Sequence, residues 1–232
     1  MPQHNSQLVL LTWMSAAFPT GAFTCSHGLE TAIADGRVND ESSCYNWIAG
    51  IVSNGSGWND ALLMQEAHRL VSDNEDMDCN VFAHALGEIN DLALALCAGS
   101  ERYRETTQLG AGFSAAAKVW LDGKTAASEL IAGDLSLPVA LGINAALASI
   151  TLEDLIPATL QASSSNLVWI ATRLVPLGQT QSLRIIAQLQ TVVALTSTRL
   201  QTCNLNNLGS NTLAADLASL EHETLHSRIC IT

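Results

Sequence analysis

Asp40-Glu41-Ser42-Ser43-Cys44-Tyr45-Asn46-Trp47-Ile48-Ala49-Gly50-Ile51-Val52 is the stretch that settles which backbone period the chain uses. Asp40, Glu41 and the two serines put acidic charge and capping oxygens where the free N–H groups of a helix start need acceptors. Tyr45, Trp47, Ile48, Ile51 and Val52 then fall on one face at the helical period. Asn54-Gly55-Ser56-Gly57 ends the pattern. The same grammar continues downstream. A helix is predicted from Trp58-Asn59-Asp60, carrying Ala61, Leu62, Met64 and Leu70 and stopping near Ser72-Asp73-Asn74. Another covers Cys79 to Cys97. From Tyr103 to Leu121 the apolar face is built of small residues, Gly110, Ala111, Gly112, Ala115, Ala116 and Ala117, which let helices approach closely.

Thr151-x-x-Asp154 opens a helix to Leu174, within which Pro157 predicts a kink. After Pro176-Leu177-Gly178, the segment Ser182 to Leu200 places Ile186, Leu189 and Val193 on one stripe and Arg184 on another. The Asn-rich stretch 202–212 reads as a loop before a last helix. Upstream, Pro19 and Gly21 break the apolar run that begins at Leu8. A further helix pattern runs from Ser26 to Ala34 and closes at Asp35-Gly36. Alternating strand patterns are nearly absent. The expectation is an all-α fold: a single compact, bundle-like domain of about eight to ten helices over residues 1–232. Residues 1–7 are expected to form a flexible N-terminus, and 222–232 a C-terminal tail whose removal spares the fold.

Composition narrows the function classes. The 232 residues carry 22 acidic against 10 basic side chains, a net charge of −12, which repels phosphate backbones and anionic membrane surfaces. With two lysines, Lys118 and Lys124, there is no basic stripe for nucleic acid. Met1-Pro2-Gln3-His4 lacks a basic leader, and Leu8 to Leu11 is too short for a signal-peptide core, so a cytoplasmic protein is expected. No apolar stretch reaches the roughly 18 residues a membrane span requires. The positive mean hydropathy of +0.22 then calls for burial between helices or between the subunits of a homodimer. Cysteines 25, 44, 79, 97, 203 and 230 show no C-x-x-C spacing and read as free thiols.

Three motifs suggest chemistry. His222-Glu223-Thr224-Leu225-His226 satisfies H-E-x-x-H, the pattern of a zinc-dependent hydrolase. None of the residues after His226 is His, Asp or Glu, so a third ligand of those types would have to come from upstream. Gly123-Lys124-Thr125 imitates the end of a phosphate-binding loop. The glycine that loop needs five residues earlier is replaced by Lys118, and the triplet reads as a turn. Cys25 and His27, two apart, point in divergent directions and make a poor proton-transfer pair. They remain a conceivable soft metal site for nickel.

Phe18-Pro-Thr-Gly-Ala-Phe-Thr-Cys-Ser-His-Gly-Leu-Glu30 mixes turn punctuation, aromatics and polar groups more densely than packing needs. It resembles the amino-terminal signature of the urease accessory protein UreF family, a Pro-x-Gly-Ala-Phe turn before a Ser-x-Gly-Leu-Glu helix start. Arg173-Leu-Val-Pro-Leu-Gly-Gln-Thr180 resembles that family's central motif, and Ser165-Asn-Leu-Val168 also fits. His222-Glu-Thr-Leu-His-Ser-Arg228 resembles its carboxyl-terminal motif. The family usually has Tyr and Gln where this chain has Cys25 and His27, and Tyr in place of His226.

The resemblance implies a non-enzymatic, homodimeric scaffold for nickel insertion into urease. Such a scaffold recruits UreD (also called UreH) and then the GTPase UreG, acts on the urease apoprotein, and couples GTP hydrolysis to metal delivery. Nickel and GTP are then handled by the complex, and this chain itself binds no cofactor. The expected partner surface is Phe18, Pro19, Gly21, Phe23, Ser26, Gly28 and Glu30, Arg173 and Gln179, and His222, Glu223, Ser227 and Arg228. Arg173 equally suits the last carbonyls of a helix. Leu225, Ile229 and Ile231 make the terminal segment too apolar for an idle tail. Two other functions stay open: the zinc hydrolase, and a ligand-binding protein whose Gly110–Ala117 face lines a pocket.

Overall fold

The computed structural model describes residues 5–20, 24–73 and 79–232, and among these it contains helices and no strand. The first helices are α1 (Ser6–Trp13), α2 (Leu29–Ala34), α3 (Glu41–Asn54), α4 (Ser56–Asp73), α5 (Cys79–Ala95) and α6 (Ser100–Ala117). They are followed by α7 (Ala127–Leu130), α8 (Leu137–Leu147), α9 (Leu152–Leu174), α10 (Gln179–Leu200) and α11 (Leu213–His222). The fold is all-α, as the periodicity predicts. Short 3-10 turns follow α6 at Lys118–Trp120 and precede α11 at Leu205–Asn207.

Local chemistry sets the helix ends. Asp40 accepts from the Ser43 N–H at 2.7 Å while Ser43 Oγ accepts from the Asp40 N–H at 3.1 Å, a reciprocal cap on α3. Thr151 Oγ1 accepts from the Asp154 N–H at 3.3 Å to start α9. Pro157 neither delays that start nor ends the helix, which runs unbroken to Leu174. α2 begins at Leu29 instead of Ser26, because Gly28 caps it in the left-handed region with φ +76°. α10 begins three residues before Ser182, and its buried stripe is Ile185, Leu189, Val193 and Leu200, with Ile186 only partly buried.

α4 and α8 form the centre. α4 buries Trp58, Ala61, Leu62, Leu63, Met64 and Ala67, and α8 buries Val139, Ala140, Leu141, Ile143 and Ala145. Gly142 sits where α8 meets the carbonyl of Met64, so close that a Cβ there collides with backbone. α6, α9, α3 and α10 pack around this pair. On α6 the buried face is Leu109, Gly110, Phe113, Ser114 and Ala117. Gly110 abuts the backbone of residues 135–137, while Ala111 and Ala115 face solvent. Clefts of about 660 and 480 Å³ open elsewhere. One is lined by Glu41, Tyr45 and Gln188, the other by Trp58, Arg199 and Asn207, and neither is lined by residues 110–117. Among the described residues no helix is long and apolar enough to cross a membrane.

Candidate functional site

The end of the molecule where α2, α6 and α11 converge carries a cluster of buried charge. Gly28 makes that convergence possible twice over. Its positive φ turns the chain into α2, and a Cβ there would stand 2.6 Å from the Ser219 nitrogen of α11. α2 then presents Glu30, α6 presents Glu101, Arg102 and Glu105, and α11 ends on His222, all buried.

His222 has no exposed surface. Its Nδ1 lies 2.7 Å from Glu101 Oε2 and its Nε2 3.2 Å from Glu30 Oε2. Each ring nitrogen thus faces a carboxylate oxygen from a different helix. Arg228 donates to Glu101 Oε1 at 2.5 Å. His222 and Arg228 thus give both carboxylates partners in a region where an unpaired charge is costly.

The chain beyond α11 lies along this cluster. The N–H groups of Ile229 and Cys230 donate to Glu30 at 2.7 and 2.8 Å. Ile231 N–H donates to the Thr24 carbonyl at 2.9 Å, and Ser26 N–H to the Thr232 carbonyl at 2.7 Å. Thr232 Oγ1 donates to Glu105. Glu223 Oε1 accepts from Ser100 Oγ at 2.9 Å and from the Glu101 N–H at 3.2 Å, capping α6 where Gly99 offers no side chain. Burial raises the Glu30 pKa, but the two backbone N–H groups and His222 outweigh it and hold that carboxyl below its ordinary value.

Beside it stands a second set. Arg102 pairs with Glu105 and lies 3.6 Å from Asp60. His27, at φ +53°, places Nε2 3.0 Å from the Arg102 guanidinium and 3.1 Å from Glu105. Burial works against ionised Glu105, yet Arg102 and His27 prevail and hold its pKa low. Cys25 is buried, its thiol pushed up to about 12 by burial and by Glu105. Among the described residues no group of three or more His, Cys, Asp or Glu side chains is placed to hold a metal ion.

The residues singled out in the sequence divide into two groups. Phe18, Ser26, Gly28, Glu30 and His222 are buried. Phe18 packs on Phe113 and Trp120, with ring centroids 5.6 and 6.1 Å apart. In this conformation these five support a surface and do not form one. Pro19, Arg173 in the last turn of α9, Gln179 at the start of α10, Ser227 and Arg228 are exposed, and Glu223 is partly so. Gly21 and Phe23 lie outside the described residues. The terminal segment is anchored, and deleting residues 222–232 would take His222, Arg228 and two backbone N–H groups from Glu30 and Glu101, while Glu105 would lose Thr232 and keep Arg102 and His27.

The zinc pattern does not form. α11 ends at His222, so His226 is not one turn further along the same helix, and both His222 nitrogens are engaged by carboxylates. Gly123-Lys124-Thr125 is a turn, with Asp122 and Gly123 at positive φ and Lys124 Nζ bonded to the Leu147 carbonyl.

Sequence reasoning missed Glu101, Arg102 and Glu105. Their spacing puts Glu101 and Glu105 one turn apart and Arg102 three residues before Glu105, but such a pattern equally describes a solvated face.

Comparison with known proteins agrees with the motifs. The UreF family model matches residues 38–190. A urease accessory protein UreF of Rhodopseudomonas palustris (strain BisA53) is 38% identical over 95% of this chain and 90% of its own length. The chain belongs to the UreF family. Its similarity to the UreF proteins of Rhizobium etli and Bradyrhizobium diazoefficiens is of the same order. The first is 39% identical over 96% of this chain and 94% of its own length, the second 38% over 95% and 89%. This UreF-family chain is therefore a urease accessory protein, and within its motifs Glu30 and His222 meet in one buried cluster that the exposed Arg228 reaches through Glu101.

Proposed function

We propose that this UreF-family protein is a non-enzymatic, cytoplasmic, homodimeric scaffold for nickel insertion into urease, bridging UreD (UreH) and the GTPase UreG and coupling GTP hydrolysis to metal delivery. It acts by differential affinity for the states of its partners. Supporting this is one observation above others: the acidic chain leaves a succession of large apolar side chains uncovered at its carboxyl end. Leu213, Leu217 and Leu220 repeat along the outer side of α11 at 68, 46 and 42% exposure, and Ile229 and Ile231 follow at 61 and 54%. Exposed apolar groups gathered in this way mark interaction surfaces. The buried cluster beneath holds the segment in place, so Glu30, His222 and Glu101 serve recognition indirectly, while Ile229, Ile231, Ser227 and Arg228 meet the partner.

The test substitutes Ile229→Asp together with Ile231→Asp, both outward, and measures capture of co-expressed UreD and then UreG by affinity pull-down. Helical circular dichroism should be unchanged and capture should fall at least about tenfold, the scale of losing a central apolar contact. Undiminished capture would remove this surface from the proposal. Turnover of a substrate by the purified chain alone would overturn the non-enzymatic reading.

A further inference from the structure

In the last turn of α10, Arg199 lays its guanidinium over the Trp58 ring, with Cζ 4.5 Å from the ring centroid. Its Nη1 donates to the Ser53 carbonyl in the last turn of α3, at 3.3 Å. Trp58 is buried and fixed in turn, because its Nε1–H donates to the Asn207 carbonyl at 2.9 Å. The loop between α10 and α11 is tied down as well: Asn211 N–H donates to the Asn54 carbonyl and Gly209 N–H to Asn59 Oδ1, both at 2.9 Å. A long cationic side chain is thus held in one pose in the cleft of about 480 Å³ that it lines with Trp58 and Asn207.

No acid balances it there. In a chain of net charge −12, Arg37, Arg69, Arg102, Arg184 and Arg228 each pair with a carboxylate. The cleft around Arg199 is lined by Asn, Ser, Thr, Trp, Cys and Gly residues and by no Asp or Glu. The Asp216 carboxylate touches this lining through Ser210, from whose Oγ it accepts at 3.0 Å. Bonding to Ser53 occupies one guanidinium N–H, and the stack on Trp58 occupies a face. The remaining donors lie along the edge of the plane, where two parallel N–H groups match the two oxygens of a carboxylate.

We propose that this cleft binds a small hydroxylated organic acid by its carboxylate, Arg199 supplying the bidentate fork and the Asn54 and Asn211 amides the bonds to the hydroxyl. A monocarboxylate fits better than a phosphate or a polyacid: one cation neutralises one charge, and the field of an acidic protein repels each further one. The site shares no residue with the buried charge of α2, α6 and α11, and it is a binding activity beyond the scaffold function.

The experiment titrates the full chain with sodium glycolate at constant ionic strength and follows the indole N–H resonance of Trp58, assigned by its loss in Trp58→Phe. Trp13, packed on Phe113 elsewhere in the fold, is the control. The Trp58 signal should shift saturably with a Kd of about 1–10 mM, the scale for a small ligand held through one charged pair, while Trp13 stays in place. Glycolamide, the uncharged amide of the same acid, should bind the wild-type chain at least about tenfold more weakly. Arg199→Gln should abolish the shift. Arg199→Lys keeps the charge but loses the fork and the stack, and should weaken binding at least about tenfold.

The site is overturned if glycolate gives no saturable shift up to about 50 mM, if sodium chloride or glycolamide shifts Trp58 equally, or if the Lys and Gln variants bind glycolate as the wild type does. The same carboxylate chemistry could come from an acidic side chain of a partner protein. Loss of UreD or UreG capture in Arg199→Gln, with no glycolate binding to the wild type, would assign the cleft to such a side chain and overturn the small acid.

Discussion

Where α4 crosses α8, contact is made by backbone, Gly142 lying against the Met64 carbonyl and the His68 nitrogen among mostly apolar side chains. Where α2 meets α6 and α11, contact is made by charge, His222 standing between Glu30 and Glu101. Both regions are buried, yet they fail under different insults. The centre has no room for a Cβ at Gly142, and its titratable group beside that contact, His68, is held below its ordinary pKa by burial. The polar end depends on the balance of charge as well as on the close backbone approach at Gly28. The difference separates a centre held by packing from an end held in large part by ionised groups.

Removing the charge partner should therefore hurt more than crowding the centre. His222→Ala leaves two buried carboxylates facing each other with Arg228 alone. Urea unfolding should show a loss of about 3–5 kcal/mol, the usual consequence of breaking a buried ionic set. Gly142→Ala forces α8 away from α4 and should cost about 1–3 kcal/mol, as overpacking does. A reversal of that order would mean that the centre, and not the acid–base cluster, is the vulnerable region.

Acid should separate the regions further. Glu30 titrates below its ordinary value in the folded chain, so its contribution is complete above pH 4.5 and declines as pH falls through its folded pKa. The groups facing its carboxylate are His222 from α11, and the Ile229 and Cys230 N–H groups and the Cys230 thiol from the terminal segment. Beyond them Glu101 is paired with Arg228. Amide exchange at Ile229 and Cys230 should lose protection, relative to each amide's intrinsic rate, at a higher pH than exchange in α8. Simultaneous loss would merge the two regions into one cooperative unit.

The centre was readable in advance because helical periodicity is a local signal. Ile48, Ile51 and Val52 on α3 and Leu62 and Met64 on α4 announce a buried face within a few residues of one another, and all are buried. Gly55, which ends α3, is just as local. The polar end joins partners separated by 121 and 192 positions, and nothing along the chain distinguishes a glutamate bound for His222 from one bound for water. The motifs at 18–30 and 222–228 lie on segments that meet in the fold, but the burial of Glu30 and His222 has no local signature. Ser26 and Glu30 looked like surface groups because Ser and Glu usually are. The short α7 escaped for a related reason, since four residues are too few to display a period.

The smallest effect tests the local half of that contrast. Thr151 starts α9 through a single bond to the Asp154 N–H, 3.3 Å long and exposed, and it belongs to neither the centre nor the polar end. Thr151→Ala should lower stability by about 1 kcal/mol, the typical worth of an N-cap, while amide exchange at Ile229 and Cys230 and UreD capture stay at wild-type levels. A cap acts on the helix it begins, and it is at the far end of α9 that Arg173 acts on the Cys230 thiol of the terminal segment. If Thr151→Ala did speed exchange at Ile229 and Cys230, α9 would have to transmit its N-terminal state along its whole length past Pro157, and the polar end would no longer count as an independent region.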